Sequence, residues 1–231
     1  MVDVSMQINA VRRQVKARTL EAGEARVVAV SQTFDAPIDD VWDACTNAER
    51  IPRWFLPVSG ELRLGGKYQL EGNAGGTVEQ CDPPNAFSAT WEFGGEVSWI
   101  EVWLAADPEG GTRLNVEHIA HVDQVRWAEF GPGAVGIGWD MILMGLAGYL
   151  STAGLSIDPK EALAWQLSEE GRRFSAESSE RWRVASVAAG TDPAEAQGAA
   201  DRVFAAYTGG APDPDQQTPA QETPDQAAAD Q

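Results

Sequence analysis

The sequence has few of the residues that build disulfide frameworks and metal sites. It contains two cysteines, Cys45 and Cys81, and two histidines, His118 and His121, in 231 residues. Two widely separated cysteines do not make the disulfide framework of a small secreted domain, so we expect a reduced, cytoplasmic setting. On a strand the two histidines would point to opposite faces, which predicts no metal site.

Basic residues are also scarce. Lys and Arg number 17 against 35 Asp and Glu, for a formal net charge of −18. A protein that binds the phosphate backbone needs a basic face, so we expect no nucleic-acid partner. Anionic lipid attracts basic segments rather than acidic ones, so we expect no membrane partner. The glycine pairs lack the helix and Lys-Ser/Thr of a phosphate loop, and we expect no cofactor.

Composition divides the chain into segments of different character. The first is basic, and Val4, Ile8, Val11 and Val15 recur in it at helical spacing, which predicts an amphipathic helix. The last lacks aromatic residues, Leu, Ile and Val, and therefore cannot repay its ordering entropy by burial. The predicted segments are an N-terminal basic amphipathic segment (1–22), a folded domain (23–155), a helical extension docked on it (156–210) and a disordered acidic tail (211–231).

The folded domain has an α+β pattern. Residues 26–34 form a β-branched run typical of a strand, Pro37 opens a helix, and short strands separated by Gly and Pro turns follow. Residues 133–150 are apolar enough to suggest a transmembrane helix. Asp140 lies inside this run and no positive charge flanks it, which favours a core helix packed on a sheet.

Short motifs along residues 26–150 resemble one protein family. They are Val41-Trp42-Asp43-Ala44, Arg53-Trp54-Phe55 with Pro57, Gly65-Gly66-Lys67-Tyr68, Asp82-Pro83-Pro84, Thr90-Trp91, Gly111-Thr112-Arg113-Leu114 and Gly138-Trp139. In this order they resemble the START/Bet v-type (SRPBCC) superfamily, in its branch of activator of heat-shock-chaperone ATPase homologues. The helical extension resembles that of bacterial members of the group.

The resemblance implies a helix-grip fold, in which a curved antiparallel sheet wraps around the long C-terminal helix and leaves a cavity. Glycines in that helix, such as Gly136 and Gly145, are expected to leave room for the cavity. Mostly apolar walls with a few polar groups are typical of small-molecule pockets. The residues expected near the cavity are Trp91, His118, Trp139, Asp140, Leu143, Met144 and Tyr149.

The sequence leaves three functions open. It favours noncatalytic binding of a small hydrophobic or aromatic ligand in the cavity. The first alternative is a co-chaperone-like, stress-related module with a protein partner. The second is an enzyme of the cyclase or hydratase type, which would need His118 and Asp140 within hydrogen-bond reach on one cavity wall. We also expect the helical extension to dock on Trp99 and Trp103, on the sheet face away from the cavity.

Overall fold

A computed structural model describes residues 3–151 and 159–210 of the chain. The predicted domain boundary at residue 155 and the predicted disordered tail at 211–231 lie outside the described residues. Within the described part the element types are those of an α+β helix-grip protein, with one antiparallel sheet and helices on one side of it.

The sheet contains eight strands, all paired antiparallel, in the order β1-β2-β8-β7-β6-β5-β4-β3. Because β2 pairs with β8, the first long strand of the chain lies beside the last one. The strands are β1 (Arg12–Leu20), β2 (Gly23–Phe34), β3 (Val58–Gly60), β4 (Lys67–Leu70), β5 (Gly75–Asp82), β6 (Ala86–Phe93), β7 (Glu96–Ala106) and β8 (Thr112–Ala120).

Seven α-helices complete the described part of the chain, together with one 3-10 turn at Ile51–Arg53. The helices are α1 (Val4–Ala10), α2 (Ile38–Thr46), α3 (Gln124–Phe130), α4 (Gly133–Ser151), α5 (Pro159–Leu167), α6 (Glu169–Ala188) and α7 (Pro193–Tyr207).

The strands β2 and β8 lie inside the sheet, and both carry buried residues on each of their faces. On the inner face Val28, Val30 and Val116 join the main core under α4. On the outer face Val27 and Ile119 are opposite each other in register and form a smaller apolar cluster with Ala25. Alternate residues along these strands thus point to opposite faces of the sheet and place apolar side chains on both, as expected for β-branched strands inside a sheet.

The N-terminal segment differs from the predicted helix. The helix covers only Val4–Ala10, and the chain then extends as β1, which pairs along its length with β2. Val15 therefore lies on a strand, and residue 22 marks no break in the sheet. Arg13 accounts for the difference. Its side chain is buried in an ion pair with Asp140, and the spacing of nearby apolar residues cannot predict a contact with a residue so far along the chain.

The long apolar helix α4 is a core helix, as predicted. It is the one helix in the described ranges that is long and apolar enough to cross a membrane. In the structure it packs against β2 on one side and against α6 and α7 on another. A helix that is apolar all round is expected to be buried on several faces.

The glycines of α4 do not open the cavity, contrary to the prediction. A Cβ on Gly136 would lie 2.3 Å from the indole ring of Trp182, and one on Gly145 would lie 2.4 Å from the carbonyl oxygen of Trp54. These positions let α6 and the turn after α2 approach the helix axis closely. The glycines serve close packing, and they therefore bring other elements nearer instead of leaving space.

The helical extension docks on α4, β1 and α1, and the predicted contact with Trp99 and Trp103 is wrong. Phe174 and Trp182 of α6 are fully buried there. Trp103 stays 37% exposed on that outer face. Trp99 packs instead beside the small cluster around Ile119.

Two substitutions in α4 test the role of its glycines. We expect Gly136→Ala to lower the free energy of unfolding by about 1–3 kcal/mol, because the new methyl group overlaps a buried ring that cannot move aside. Gly138→Ala is the matched control, since its Cβ would meet only the Tyr207 hydroxyl at 3.5 Å. The control should stabilise the helix by up to about 1 kcal/mol. Equal effects in urea denaturation would contradict the close-packing role.

Candidate functional site

A cavity of about 150 Å³ lies between α4 and the strands β4–β8. The helix α4 supplies Trp139, Ile142, Leu143 and Leu146 to one wall. The opposite wall comes from the sheet, including Ala89, Ile100, Val102, Leu114 and Val116. The side walls come from α2 and from the irregular segment after it, including Cys45, Ile51, Trp54, Phe55 and Val58.

Aromatic rings supply much of the cavity wall. The rings of Trp91 on β6 and Trp139 on α4 are tilted against each other with their centroids 5.6 Å apart. Phe87, also on β6, meets Trp42 of α2 edge to face at 6.0 Å. Rigid rings packed in this way keep a cavity open, because they cannot collapse into it as flexible side chains would.

Polar groups of the wall form hydrogen bonds with other groups of the protein, which leaves them little capacity to bond to a ligand. Trp54 Nε1 donates to the Ala44 carbonyl at 3.0 Å, and the Tyr68 hydroxyl donates to the Thr90 carbonyl at 2.7 Å. Burial raises the pKa of Tyr68 above its ordinary value. None of the described residues that line the cavity carries a formal charge. The cavity therefore presents ring faces and alkyl groups to its contents.

A hydrogen-bonded chain ties the two tryptophans of the wall together. Trp139 Nε1 donates to His118 Nδ1 at 3.1 Å, so the proton of the neutral imidazole is on Nε2. That nitrogen lies 2.8 Å from Ser98 Oγ, which in turn donates to the Trp91 carbonyl. Burial lowers the pKa of His118 to about 4, and the neutral form that this chain requires is thus the stable one.

Both cysteines of the chain line the cavity. Cys81 at the end of β5 lines the cavity and is exposed, so the cavity reaches the surface beside it. Cys45 on α2 also lines the cavity, and burial raises the pKa of its thiol to about 12. Both cysteines are free; Cys81 is exposed, whereas Cys45 is only partly exposed.

Three of the seven residues expected near the cavity line it. They are Trp91, Trp139 and Leu143. His118 does not line the cavity and lies behind Trp91 and Trp139, to which it is linked by hydrogen bonds and ring contacts. The structure thus places His118 as a support of the wall.

The other three do not line it, which corrects the expectation: Asp140 and Met144 face other sides of α4, whereas Tyr149 lies beyond the cavity-lining turns of the helix. Asp140 is bonded to Arg13 of β1 and to Ser178 and Trp182 of α6. Met144 packs against the cluster of Val4, Ile8 and Phe174. The Tyr149 hydroxyl accepts from Arg50 Nε at 2.8 Å. Successive helical residues turn by about 100°, so neighbours of a cavity residue face elsewhere.

Sequence reasoning missed the wall contributed by α2 and the segment after it. Cys45, Trp54 and Phe55 lie here. This segment has no regular period from which an inward face could be inferred. The motif Arg53-Trp54-Phe55, already noted for its resemblance to a family, was the available signal.

The arrangement does not support the His118–Asp140 pair that a cyclase or hydratase mechanism would need. His118 bonds to Ser98 and Trp139, whereas Asp140 bonds to Arg13, Ser178 and Trp182. The two side chains belong to separate clusters on different sides of α4. In residues 3–151 and 159–210 no three His, Cys, Asp or Glu side chains are grouped as metal ligands.

Comparison with known proteins agrees with this geometry. Residues 35–151, just over half of the chain, match the family described as Activator of Hsp90 ATPase homolog 1-like protein. The chain belongs to this family. Membership supports a ligand-binding or Hsp90 co-chaperone-like module. No curated protein matches the sequence.

Solved structures extend the match beyond the family segment. The crystal structure of CalU16 from Micromonospora echinospora is 35% identical, with a TM-score of 0.61, over 76% of this chain and 98% of that one. Its solution structure gives 31% identity and the same TM-score over 78% and 97%. MLL2253 from Mesorhizobium loti, at 21% identity and a TM-score of 0.50 over 56% and 100%, shares the fold alone.

The depressed pKa of His118 predicts how stability depends on pH. The unfolded chain takes up a proton near the ordinary value of 6.5 and the folded chain only near 4, so folding loses stability as pH falls through this window. Between pH 7 and pH 5 the loss from this group is about 2 kcal/mol. Denaturation at both pH values should show that His118→Gln removes this part of the loss.

His121→Gln is the matched control, because His121 is exposed and its Nδ1 is bonded only to the Glu24 carbonyl. It should keep the pH dependence of the wild type. An unchanged pH dependence in His118→Gln would show that His118 does not stay neutral in the folded protein.

Proposed function

We propose that this protein binds a small, uncharged apolar or aromatic molecule in the cavity between α4 and the sheet, without catalysing a reaction on it. The observation that carries the proposal is the cavity itself, with its apolar and aromatic wall and its opening beside Cys81. Pockets of this composition are typical of small-molecule sites.

The wall chemistry supports an uncharged ligand. Moving an unpaired charge from water into an apolar site costs far more free energy than contacts with apolar side chains can recover. The indole N–H groups of Trp54 and Trp139 already donate to protein acceptors, so they offer little to a polar ligand. Affinity would come from the burial of apolar surface and from contacts with the rings.

The volume supports a ligand about the size of one aromatic ring. A dry apolar cavity of about 150 Å³ in an unrelated protein takes up benzene or xenon. Drug-sized ligands occupy pockets of about 300–1,000 Å³, so a larger molecule would need the walls to separate. Toluene is accordingly the probe of choice.

The family description also supports a second candidate, a co-chaperone-like module that acts through a protein partner. The cavity favours ligand binding over this candidate, because an interaction module has no need of an enclosed apolar space. The experiment below distinguishes the two, since only the first function requires the interior to be accessible.

Toluene should bind and raise the melting temperature. At ten times its dissociation constant the gain is about 1.4 kcal/mol, or roughly 3–6 °C for a protein of this size. Leu143→Phe should lower the affinity at least about tenfold, because the larger ring fills the cavity. Isothermal titration calorimetry gives the affinity directly.

Met144→Phe is the matched control on the next residue of α4, since Met144 faces α1 and α6 and does not line the cavity. It should bind toluene as the wild type does. If the folded wild type binds no toluene, or if the two variants bind equally, the cavity is not the binding site and the interaction module becomes the better account.

Cys81 offers a test of the route of entry. We expect N-ethylmaleimide to modify the exposed Cys81 much faster than Cys45, which is only partly exposed and has a raised thiol pKa. The adduct should slow exchange of toluene several-fold, measured by NMR line shapes, because it narrows the opening. A mock-treated Cys81→Ser protein should exchange at the unmodified rate. Unchanged exchange in the adduct would place the opening elsewhere.

A further inference from the structure

The face of α4 that flanks the cavity-lining face, around Gly133, Gly136 and Asp140, is covered by side chains from outside the family-matching segment. Trp182 of α6 lies with its indole ring against Gly136, where a Cβ would be only 2.3 Å away. The side chain of Val203 of α7 covers Gly133 in the same way, at 2.9 Å from where its Cβ would be. Trp182 is 1% exposed, so its side chain is fully enclosed by protein.

A charged cluster joins the same face of α4 to two further elements. Arg13 of β1 donates through Nε to both carboxylate oxygens of Asp140, at 2.9 and 3.1 Å. Trp182 Nε1 donates to the same carboxylate at 3.1 Å, and Ser178 donates its hydroxyl proton. We call Arg13, Asp140, Ser178 and Trp182 the Asp140 cluster. Its two charged side chains are 4% and 1% exposed.

The Asp140 cluster and the cavity wall are adjacent on one rigid helix. Trp139 and Leu143 face the cavity, and Asp140 directly follows Trp139. An α-helix moves as a unit over such short distances, so a displacement of Asp140 displaces Trp139 as well.

We propose that the Asp140 cluster sets the distance of α4 from the sheet, and with it the width of the ligand cavity, so that Trp182 is a positioning residue for a site it does not touch. This inference rests on the proposed function as far as the ligand is concerned. The helical extension is then part of the binding device, because removing its contact lets α4 move away from the sheet.

Coupling of this kind acts in both directions. A ligand that fits the narrow cavity favours the docked position of α4 and therefore also favours docking of α6. A ligand that is too large favours the displaced position and loosens the contact at Trp182. The cluster thus selects ligands by size although the ligands do not contact it.

The first test does not depend on any ligand. In a Cys81→Ser background, Cys45 is the remaining thiol; it lies in the cavity wall and is only partly exposed. Trp182→Ala should make Cys45 react with methyl methanethiosulfonate at least about tenfold faster, because the cavity widens. Trp182→Phe, which keeps a ring but loses the bond to Asp140, should give a smaller increase.

Ile119→Ala is the control. It truncates a side chain that is as fully buried as Trp182 but lies in the apolar cluster on the outer face of the sheet, away from α4. It should leave the Cys45 rate within about twofold of wild type when the two proteins are compared at equal global stability. Equal rates in Trp182→Ala and Ile119→Ala overturn the proposal. If Trp182→Ala does not fold, Trp182→Phe and Ser178→Ala are compared with Ile119→Ala in its place.

The second test uses two probes of different size. The ratio of naphthalene to toluene affinity should rise at least about tenfold in Trp182→Ala and stay unchanged in Ile119→Ala. An unchanged ratio in Trp182→Ala overturns the control of ligand size. If the wild type binds neither probe, the proposed function fails, whereas the Cys45 rates still decide whether the cluster positions α4.

Discussion

The structure depends on the burial of one carboxylate, that of Asp140, inside an otherwise apolar helix. Removing a charge from water costs several kcal/mol unless partners replace the water, and losing one partner of such a pair is strongly destabilising. Here the partners come from β1 and α6, elements separated from α4 along the chain. Folding α4 into the core therefore requires the N-terminal strand and the helical extension to be in place. The packed unit is consequently larger than the family-matching segment.

The helix α4 separates two environments with opposite requirements. On the side of Asp140 it is packed closely, with Gly136 admitting the indole ring of Trp182. On the side of Leu143 it borders a cavity whose aromatic walls are held apart by their own packing and by the chain from Trp139 through His118. The closely packed side holds the helix in place. The helix therefore cannot move to fill the cavity, and the cavity stays open. This combination suits a binding site formed before its ligand arrives.

The fold was largely predictable, whereas the site was predictable only in part. Strand alternation, turn residues and one long apolar run predict an antiparallel sheet around a core helix, because these signals are local. The orientation of α4 about its axis is not local, since its residues are apolar all round and no hydrophobic stripe distinguishes Leu143 from Met144. The strand at Arg12–Leu20 was missed for a related reason: Arg13 looks like a surface residue until its distant partner Asp140 is known. The wall around Trp54 lies in irregular backbone, where periodicity carries no information.

The central claim is that the interior cavity is a dry, apolar space that takes up small molecules. The most direct measurement is a crystal structure of the full chain under xenon pressure, because xenon enters apolar cavities and scatters anomalously. The account predicts an anomalous peak between α4 and the sheet, in contact with Leu143 and near Trp91 and Trp139. A cavity without xenon, filled by ordered water or closed by collapse of its walls, would contradict it.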